Sequence, residues 1–370
     1  MKILLAPDSF KGSLTSRQAG QILAQAAQNV LGCETACLPV ADGGEGTLEA
    51  IVEAAGGTYV DITATAPLGD PVLARYGLID AGETAVIEMA RASGITLVKT
   101  LDPVRATSRG TGELIADARA RGAKRFCVAI GGSATNDGGM GMLAALGAIF
   151  RDADGKLLAG CGGDLEKLAS ADLTALPELD ITVICDVTNP LLGSIGATCV
   201  YGAQKGADKM TIARLERGMA HYAAVLENMG DFPGAGAAGG MGYALSAILG
   251  GRIKRGIEAV LDAVHFDALL EGVDLVVTGE GRLDGQSVYY GKVPAGIAKR
   301  CSARGVPVIA VAGGLGEGAD AFFDLGMTSI EPITDGPRTL ESAIEDAQTL
   351  LQGAARRLFT TLKIGMALSQ

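Results

Sequence analysis

Two rhythms of apolar and polar positions run along the chain. Near the amino end a short apolar run, residues 2–6 (KILLA), gives way to helical spacing up to about Val30, with Ser13 or Thr15 as the cap. A second run at 36–40 leads through Asp42 and its neighbouring glycines into another helix to about Ala55. From Thr58 to Glu88 the rhythm changes. Short alternating segments (TYVDITAT, VLARYGLI, TAVIEM), separated by Pro-Leu-Gly-Asp-Pro and Asp-Ala-Gly-Glu turns, predict an antiparallel meander. Alternation of strand and helix then resumes, with helix at 112–121, strands at 126–130 and 181–185, and helix at 213–229. A hairpin turn is expected at 151–156. The last hundred residues predict strands at 274–278, 306–312 and 329–333, helices near 292–304 and 320–325, and a long closing helix from about Thr339.

Apolar runs of this length, bounded by turn residues, are the mark of strands buried on both faces of a parallel sheet. The expected fold is therefore α/β with two domains. A Rossmann-like parallel-sheet domain is formed by the N- and C-terminal parts, residues 1–60 and 266–370, and a second mixed α/β domain, residues 61–265, is inserted.

Composition bears on partners more than on fold. The 370 residues are 48% hydrophobic and 20% charged, ordinary for a globular protein, and carry a net charge of -11. That acidity argues against nucleic acid or an anionic membrane as partner, and means that an anionic substrate must be held by locally placed Lys, Arg or N–H groups. The 54 glycines show no collagen-like period and gather in turns, which marks them as loop chemistry. Seven cysteines, scattered or inside apolar runs, fit reduced thiols, and Cys33 and Cys37 have no second pair at zinc spacing. With a strand beginning at Lys2 and no apolar stretch of membrane-spanning length, a cytoplasmic protein is expected.

Candidate chemistry gathers where the apolar runs break into glycine and polar residues, since ligands of open α/β sheets bind beyond the carboxyl ends of the strands. Asp8, Ser9 and Lys11 follow the first run beside a helix start that suits a small anion; capping by Ser13 with Lys11 solvated is an equal alternative. Asp42 repeats this position after the second run. Residues 131–139 (GGSATNDGG) offer Gly131, Gly132, Ser133, Thr135 and Asn136 as a phosphate cradle, and Thr278, Gly279, Glu280 and Gly281 offer another. Asp186 and Asn189 form an acid–amide pair suited to Mg²⁺, Asp284 is a second candidate acid, and Lys205 supplies a positive charge after a Tyr-Gly turn. Alone, each acid would more often be a turn-capping Asx; several at strand ends point to a shared site.

Other motifs fail their tests. GAGAAG at 234–239 matches a dinucleotide fingerprint, but the residues before it read as the end of a helix rather than a strand. Residues 285–293 lack P-loop spacing, and Val293 stands where Ser or Thr is needed. His221 and His265 sit in ordinary helical contexts away from the glycine-rich turns, so proton transfer falls to a carboxylate or a lysine.

The ordered string APDSFKGSL (6–14), PVADGGEGT (39–47), TSRGTGEL (107–114), IGGSATNDGG (130–139), CDVTNPL (185–191), QKGA (204–207), PGAGAAGGMG (233–242) and TGEGRLDGQS (278–287), followed by GKVP (291–294), resembles the type-1 glycerate kinases of bacteria nearly end to end. One departure is Ala203, where family members often carry proline. The resemblance implies a two-domain α/β fold and ATP- and Mg²⁺-dependent phosphorylation of D-glycerate, usually to 2-phosphoglycerate. The expected reaction is phosphoryl transfer from MgATP to a glycerate hydroxyl in a cleft between the domains, chemistry that rests on positioning and charge stabilisation. Within it Asp186 is assigned as base or metal-orienting acid with Asp284 its rival, and Asn189 joins Asp186 on the metal. Lys11 and Lys205 would neutralise the substrate carboxylate or the moving phosphoryl group, and Asp8, Ser9, Asp42 and Arg109 would complete the substrate site. A glycerate 3-kinase, a dehydrogenase resting on GAGAAG and a non-catalytic metabolite sensor on the same fold are the alternatives, and a homodimer is left open.

Overall fold

The computed structural model describes residues 1–41, 46–230, 232–289 and 291–368. Asp42, an expected substrate residue, lies outside the described residues. In chain order the strands are β1 (Lys2–Pro7), β2 (Glu34–Cys37), β3 (Thr58–Thr65), β4 (Pro71–Ile79), β5 (Thr84–Glu88), β6 (Arg125–Ala129) and β7 (Ile149–Arg151). There follow β8 (Ser170–Asp172), β9 (Asp180–Ile184), β10 (Arg252–Lys254), β11 (Leu275–Glu280), β12 (Val308–Ala312) and β13 (Ser329–Pro332). The chain divides into two units, Met1–Asp42 with Val260–Gln370, and Gly43–Ala259.

The first unit holds a five-stranded, wholly parallel sheet in the order β13-β12-β11-β1-β2. Every residue of β11 and β12 is buried, as a parallel sheet covered on both faces requires. β2 ends at Cys37, earlier than its apolar run suggests. Leu38 still donates to the Leu5 carbonyl, but Pro39 has no N–H to continue the ladder. Helix Ser16–Leu31 starts on a capping box in which Thr15 and Gln18 exchange bonds, and stops at Gly32 in the left-handed region (φ 62°). Its Ala19, Leu23 and Ala27 join Leu351, Ala355 and Phe359 of helix Ala347–Leu368 in the core of this unit.

The second unit holds a mixed sheet in the order β10-β9-β6-β5-β4-β3. The meander supplies its antiparallel half, and β5, β6, β9 and β10 run parallel. Helix Thr47–Ala54 belongs here: a Cβ on Gly77 of β4 would stand 2.1 Å from a Val52 methyl, so the two elements need that glycine to touch. The unit boundaries lie near residues 42 and 260 where breaks were expected at 60/61 and 265/266; the first is earlier because helix Thr47–Ala54 packs on β4 and β5 and β3 pairs with β4. The two-domain α/β architecture, with the mixed unit inserted into the parallel one, is as expected. Among the described residues no helix is long and apolar enough to cross a membrane.

Candidate active site

In the first unit the carboxyl ends of β1, β11 and β12 border a cavity of about 260 Å³. One side is polar, with Asp8, Lys11, Glu280 and Lys292; the other is an apolar wall that includes Leu340 and Ile344. The β11 loop lies against the β1 loop at Gly281, where a Cβ would stand in ordinary contact, 3.4 Å from the Lys11 nitrogen. Asp8 is buried, and one of its carboxylate oxygens accepts the Ser9 N–H at 2.6 Å. Glu280 is buried beside it, and its Oε1 has no hydrogen-bond partner. Burial pushes the Glu280 carboxyl up to about 7, with Asp8 and Asp284 adding in the same direction and Ser287 and Lys292 opposing. When ionised, Glu280 donates no hydrogen bond, so it brings no fixed donor to the phosphate-cradling role expected of it.

Other expected members of that turn prove structural. Thr278 is buried and donates to the Ala6 carbonyl at 2.9 Å, tying β11 to β1. A Cβ on Gly279 would stand 2.3 Å from the Val311 carbonyl oxygen, so glycine is needed for the approach of β12. Asp284 Oδ1 accepts from the N–H groups of Gln286 and Ser287, and its Oδ2 takes Arg282 Nε at 3.1 Å. These bonds to Ser287, Arg282 and Gln286 outweigh burial and hold the Asp284 carboxyl below its ordinary range. Asp284 is thus the cap of helix Gly285–Tyr289. Lys292 was not foreseen. It sits at the N-cap of helix Val293–Ala303, and the signal was the GKVP string, which was read within a failed P-loop and as part of the family resemblance with no role given to its lysine.

In the second unit most polar groups of the loop after β6 are bonded to other protein groups, although Thr135 Oγ1 and Asn136 Oδ1 are buried without a hydrogen-bond partner. Lys205 is fully buried, and its Nζ donates to Ser133 Oγ at 2.8 Å and to the Thr135 carbonyl at 2.6 Å. Burial lowers Lys205 to about 7, while the Asp137 charge opposes that shift. Asp137 accepts from Ser108 N, Ser108 Oγ, Gly139 N and Gly141 N, and Asn136 Nδ2 donates to Thr198 Oγ1. Ser133, Thr135 and Asn136 therefore face inward, and Gly131 and Gly132 are the exposed part of the expected cradle. GAGAAG packs beneath this loop: a Cβ on Gly239 would stand 2.1 Å from the Thr135 carbonyl oxygen, and one on Gly236 2.2 Å from that of Pro190. No strand precedes these glycines, and they serve backbone packing.

Asp186 is exposed, and its Oδ1 accepts the Gly256 N–H at 2.8 Å, at the start of helix Gly256–Ala263. Asn189 accepts the Tyr201 hydroxyl at 2.6 Å and donates to the Ile195 carbonyl at 2.7 Å. With the amide engaged at both ends and the acid in a helix start, this pair does not fit a prepared Mg²⁺ site. Among the described residues no group of three His, Cys, Asp or Glu side chains is placed to hold a metal ion. Arg109 is exposed and pairs with Glu113 at 3.1 Å on its own helix, Arg109–Ala120. His221 lies in helix Lys209–Val225 with Nε2 2.6 Å from the Leu168 carbonyl, whereas His265 breaks the helical path at φ 52°.

The family model described as "Glycerate kinase family" matches residues 3–363. A glycerate kinase of Bacillus subtilis (strain 168) is 43% identical, covering 98% of both chains. A glycerate 2-kinase of Escherichia coli (strain K12) is also 43% identical, covering 99% of both. A crystal structure described as "putative glycerate kinase 2 from Salmonella typhimurium LT2" superposes with a TM-score of 0.88 at 43% identity, over 99% of each chain.

Proposed function

Because the chain belongs to the glycerate kinase family, we propose that it transfers the γ-phosphoryl group of MgATP to the 2-hydroxyl of D-glycerate, giving 2-phospho-D-glycerate and ADP. The position of transfer follows the name of the Escherichia coli relative, a glycerate 2-kinase. Mg²⁺ belongs to this reading as part of the nucleotide substrate, and no residue of the chain is assigned to it. The seven cysteines are unpaired in the structure, an arrangement that suits a reducing compartment such as the cytoplasm.

The observation that carries the reading is the first-unit cavity. At about 260 Å³ it is smaller than the roughly 300–1,000 Å³ that takes drug-sized ligands, and Lys11 and Lys292 line it in a chain of net charge -11. A three-carbon acid suits such a space: its carboxylate pairs with the lysines while its hydroxyls meet acceptors. In the second unit Lys205 acts as a positioning residue, holding the 131–136 loop so that the N–H groups of Gly131 and Gly132 can receive phosphate oxygens. Neither role needs a covalent intermediate, consistent with phosphoryl transfer by orientation and charge.

The test is ³¹P NMR of the products after incubation with ATP, Mg²⁺ and D-glycerate. The expected new signals are those of 2-phosphoglycerate and ADP. A 3-phosphoglycerate signal in place of the first would overturn the position of transfer, and ADP formation indifferent to glycerate would overturn the substrate.

A further inference from the structure

Among the described residues, Asp8, Asp186, Glu280 and Asp284 are acids at or just beyond the carboxyl ends of β1, β9 and β11. Asp186 and Asp284 accept backbone N–H groups at helix starts, and Asp8 accepts the Ser9 N–H. Glu280 differs. It ends β11, only 5% of it is exposed, and its Oε1 has no partner, although the residue lines a cavity large enough for a small acid. A buried polar oxygen without a donor is costly, and such an atom is retained where another group comes to use it.

We propose that Glu280 is the general base that takes the proton from the glycerate hydroxyl as that oxygen attacks the γ-phosphorus; the assignment rests on the kinase reading given above. The hydroxyl O–H bond breaks and its proton passes to Oε1. The O–P bond forms as the bond from the γ-phosphorus to the β–γ bridging oxygen breaks, and that electron pair leaves with ADP. The proton returns to water after the product departs. No oxidant, reductant or further reactant is required.

The surroundings of Glu280 suit the task. Asp8 at the end of β1 and Asp284 beyond β11 disfavour its charge, and Lys292 and Ser287 favour it. Lys11 and Arg282 also line the cavity. A base is most effective when it titrates near the working pH, and burial brings Glu280 to about 7. Oε1 thus carries no donor that the substrate proton would displace, and Lys11 and Lys292 line the same cavity toward the substrate anion.

Glu280→Gln keeps the shape and removes the basic oxygen. The parent should show kcat/KM for D-glycerate rising with pH through about 7, since the base must be deprotonated. In the variant kcat/KM should fall by about 10²–10⁴-fold, and the rise should vanish. An upward shift of the melting temperature with ATP or D-glycerate shows that the variant still binds. A fall in kcat/KM with the parental pH profile intact would overturn the proposal in favour of a structural role, as would parental kcat/KM. Should the glutamine variant fail to fold, Glu280→Asp decides: a displaced midpoint of the rise supports the base, and an unmoved midpoint overturns it. Failure of the parent to phosphorylate glycerate would sink the kinase reading itself, an outcome separate from these and visible before any variant is made.

Discussion

Two glycine-rich loops that look alike in sequence are different physical objects in the two units. Beyond β11 the polar groups face a cavity, and a buried carboxylate oxygen of Glu280 lacks a partner. Beyond β6 the polar groups face each other: Lys205 is bound to Ser133 and Thr135, Asp137 takes four donors, and Asn136 reaches Thr198. Glycine differs as well: Gly239 is needed for backbone to close on backbone, whereas a Cβ at Gly281 would meet its neighbours at ordinary contact distance. The loops thus differ in what most of their polar groups face, a cavity beyond β11 and other protein groups beyond β6, although Thr135 Oγ1 and Asn136 Oδ1 of the second are also buried without a partner. Each loop can therefore be probed by a change that ought to be harmful in one and mild in the other.

The largest contrast should come from adding a single methyl group. Gly239 lies at φ 70°, and its Cβ would meet a carbonyl oxygen at 2.1 Å, so Gly239→Ala must displace backbone. A loss of about 3 kcal/mol or more is expected, read as a strongly lowered melting temperature or loss of folded protein. Gly281→Ala meets its nearest atom at 3.4 Å and should cost about 1 kcal/mol or less, its effect falling on KM for glycerate. Equal losses of stability in the two variants would erase the distinction between scaffold and site.

A second contrast is in the sign of pH dependence. Glu280 is raised from its ordinary 4.5 to about 7, so the folded chain holds its proton more tightly. Its stabilising share is complete below pH 4.5 and is lost as pH rises through 7, on the order of 3 kcal/mol. Lys205 is lowered from 10.5 to about 7, so between pH 7 and 10.5 the unfolded chain holds more protons and stability rises with pH. Urea midpoints across pH 5 to 10 should show both slopes. Glu280→Gln should flatten only the acidic one and Lys205→Met only the alkaline one; a slope that survives its own substitution has another source.

Local pattern made the fold readable, and distant partners hid much of the site. The 58–88 meander appears in the sequence because alternation follows directly from one-sided burial of strands, and the buried runs of β1, β11 and β12 are equally plain. The early end of β2 was set by one missing N–H at Pro39. The composition of a loop, by contrast, does not say which way its side chains turn. Lys205 lies 72 residues from Ser133 and Asp186 lies 70 from Gly256, and neither pairing leaves a mark on its own segment. Lys292 was legible as a residue of GKVP, but its place on the cavity needed the fold to bring the start of its helix beside β11.

Cations should divide along the same line at smaller amplitude. Lys11 is exposed at the cavity, so Lys11→Met removes charge with little loss of packing. A charge-assisted bond of about 1.5–3 kcal/mol corresponds to a rise in KM for glycerate of roughly 10- to 100-fold, with KM for ATP little changed and the melt unaltered. Lys292→Met should behave in the same way. Lys205→Met removes the donor to Ser133 and Thr135, so it should lower kcat with smaller changes in KM as the 131–136 loop relaxes. A Lys11 variant with parental kinetics would move the substrate carboxylate away from this cavity.

The smallest expected effects belong to the two acids that the sequence set forward as bases. Asp284 accepts two N–H groups at the start of helix Gly285–Tyr289, and Asp186 accepts one at the start of helix Gly256–Ala263. Asparagine caps about as well as aspartate, so Asp284→Asn and Asp186→Asn should each change stability by about 0.5 kcal/mol or less. Alanine, which cannot accept, should cost about 1 kcal/mol at Asp284. If capping is their whole task, kcat in both asparagine variants stays within a few-fold of the parent. A general base or a metal ligand responds otherwise, because the amide removes the charge and keeps the shape, and a loss of about 10²-fold or more would follow. Such a loss at Asp186 with an unchanged melt would return that acid to the chemistry and place a working carboxylate in the second unit.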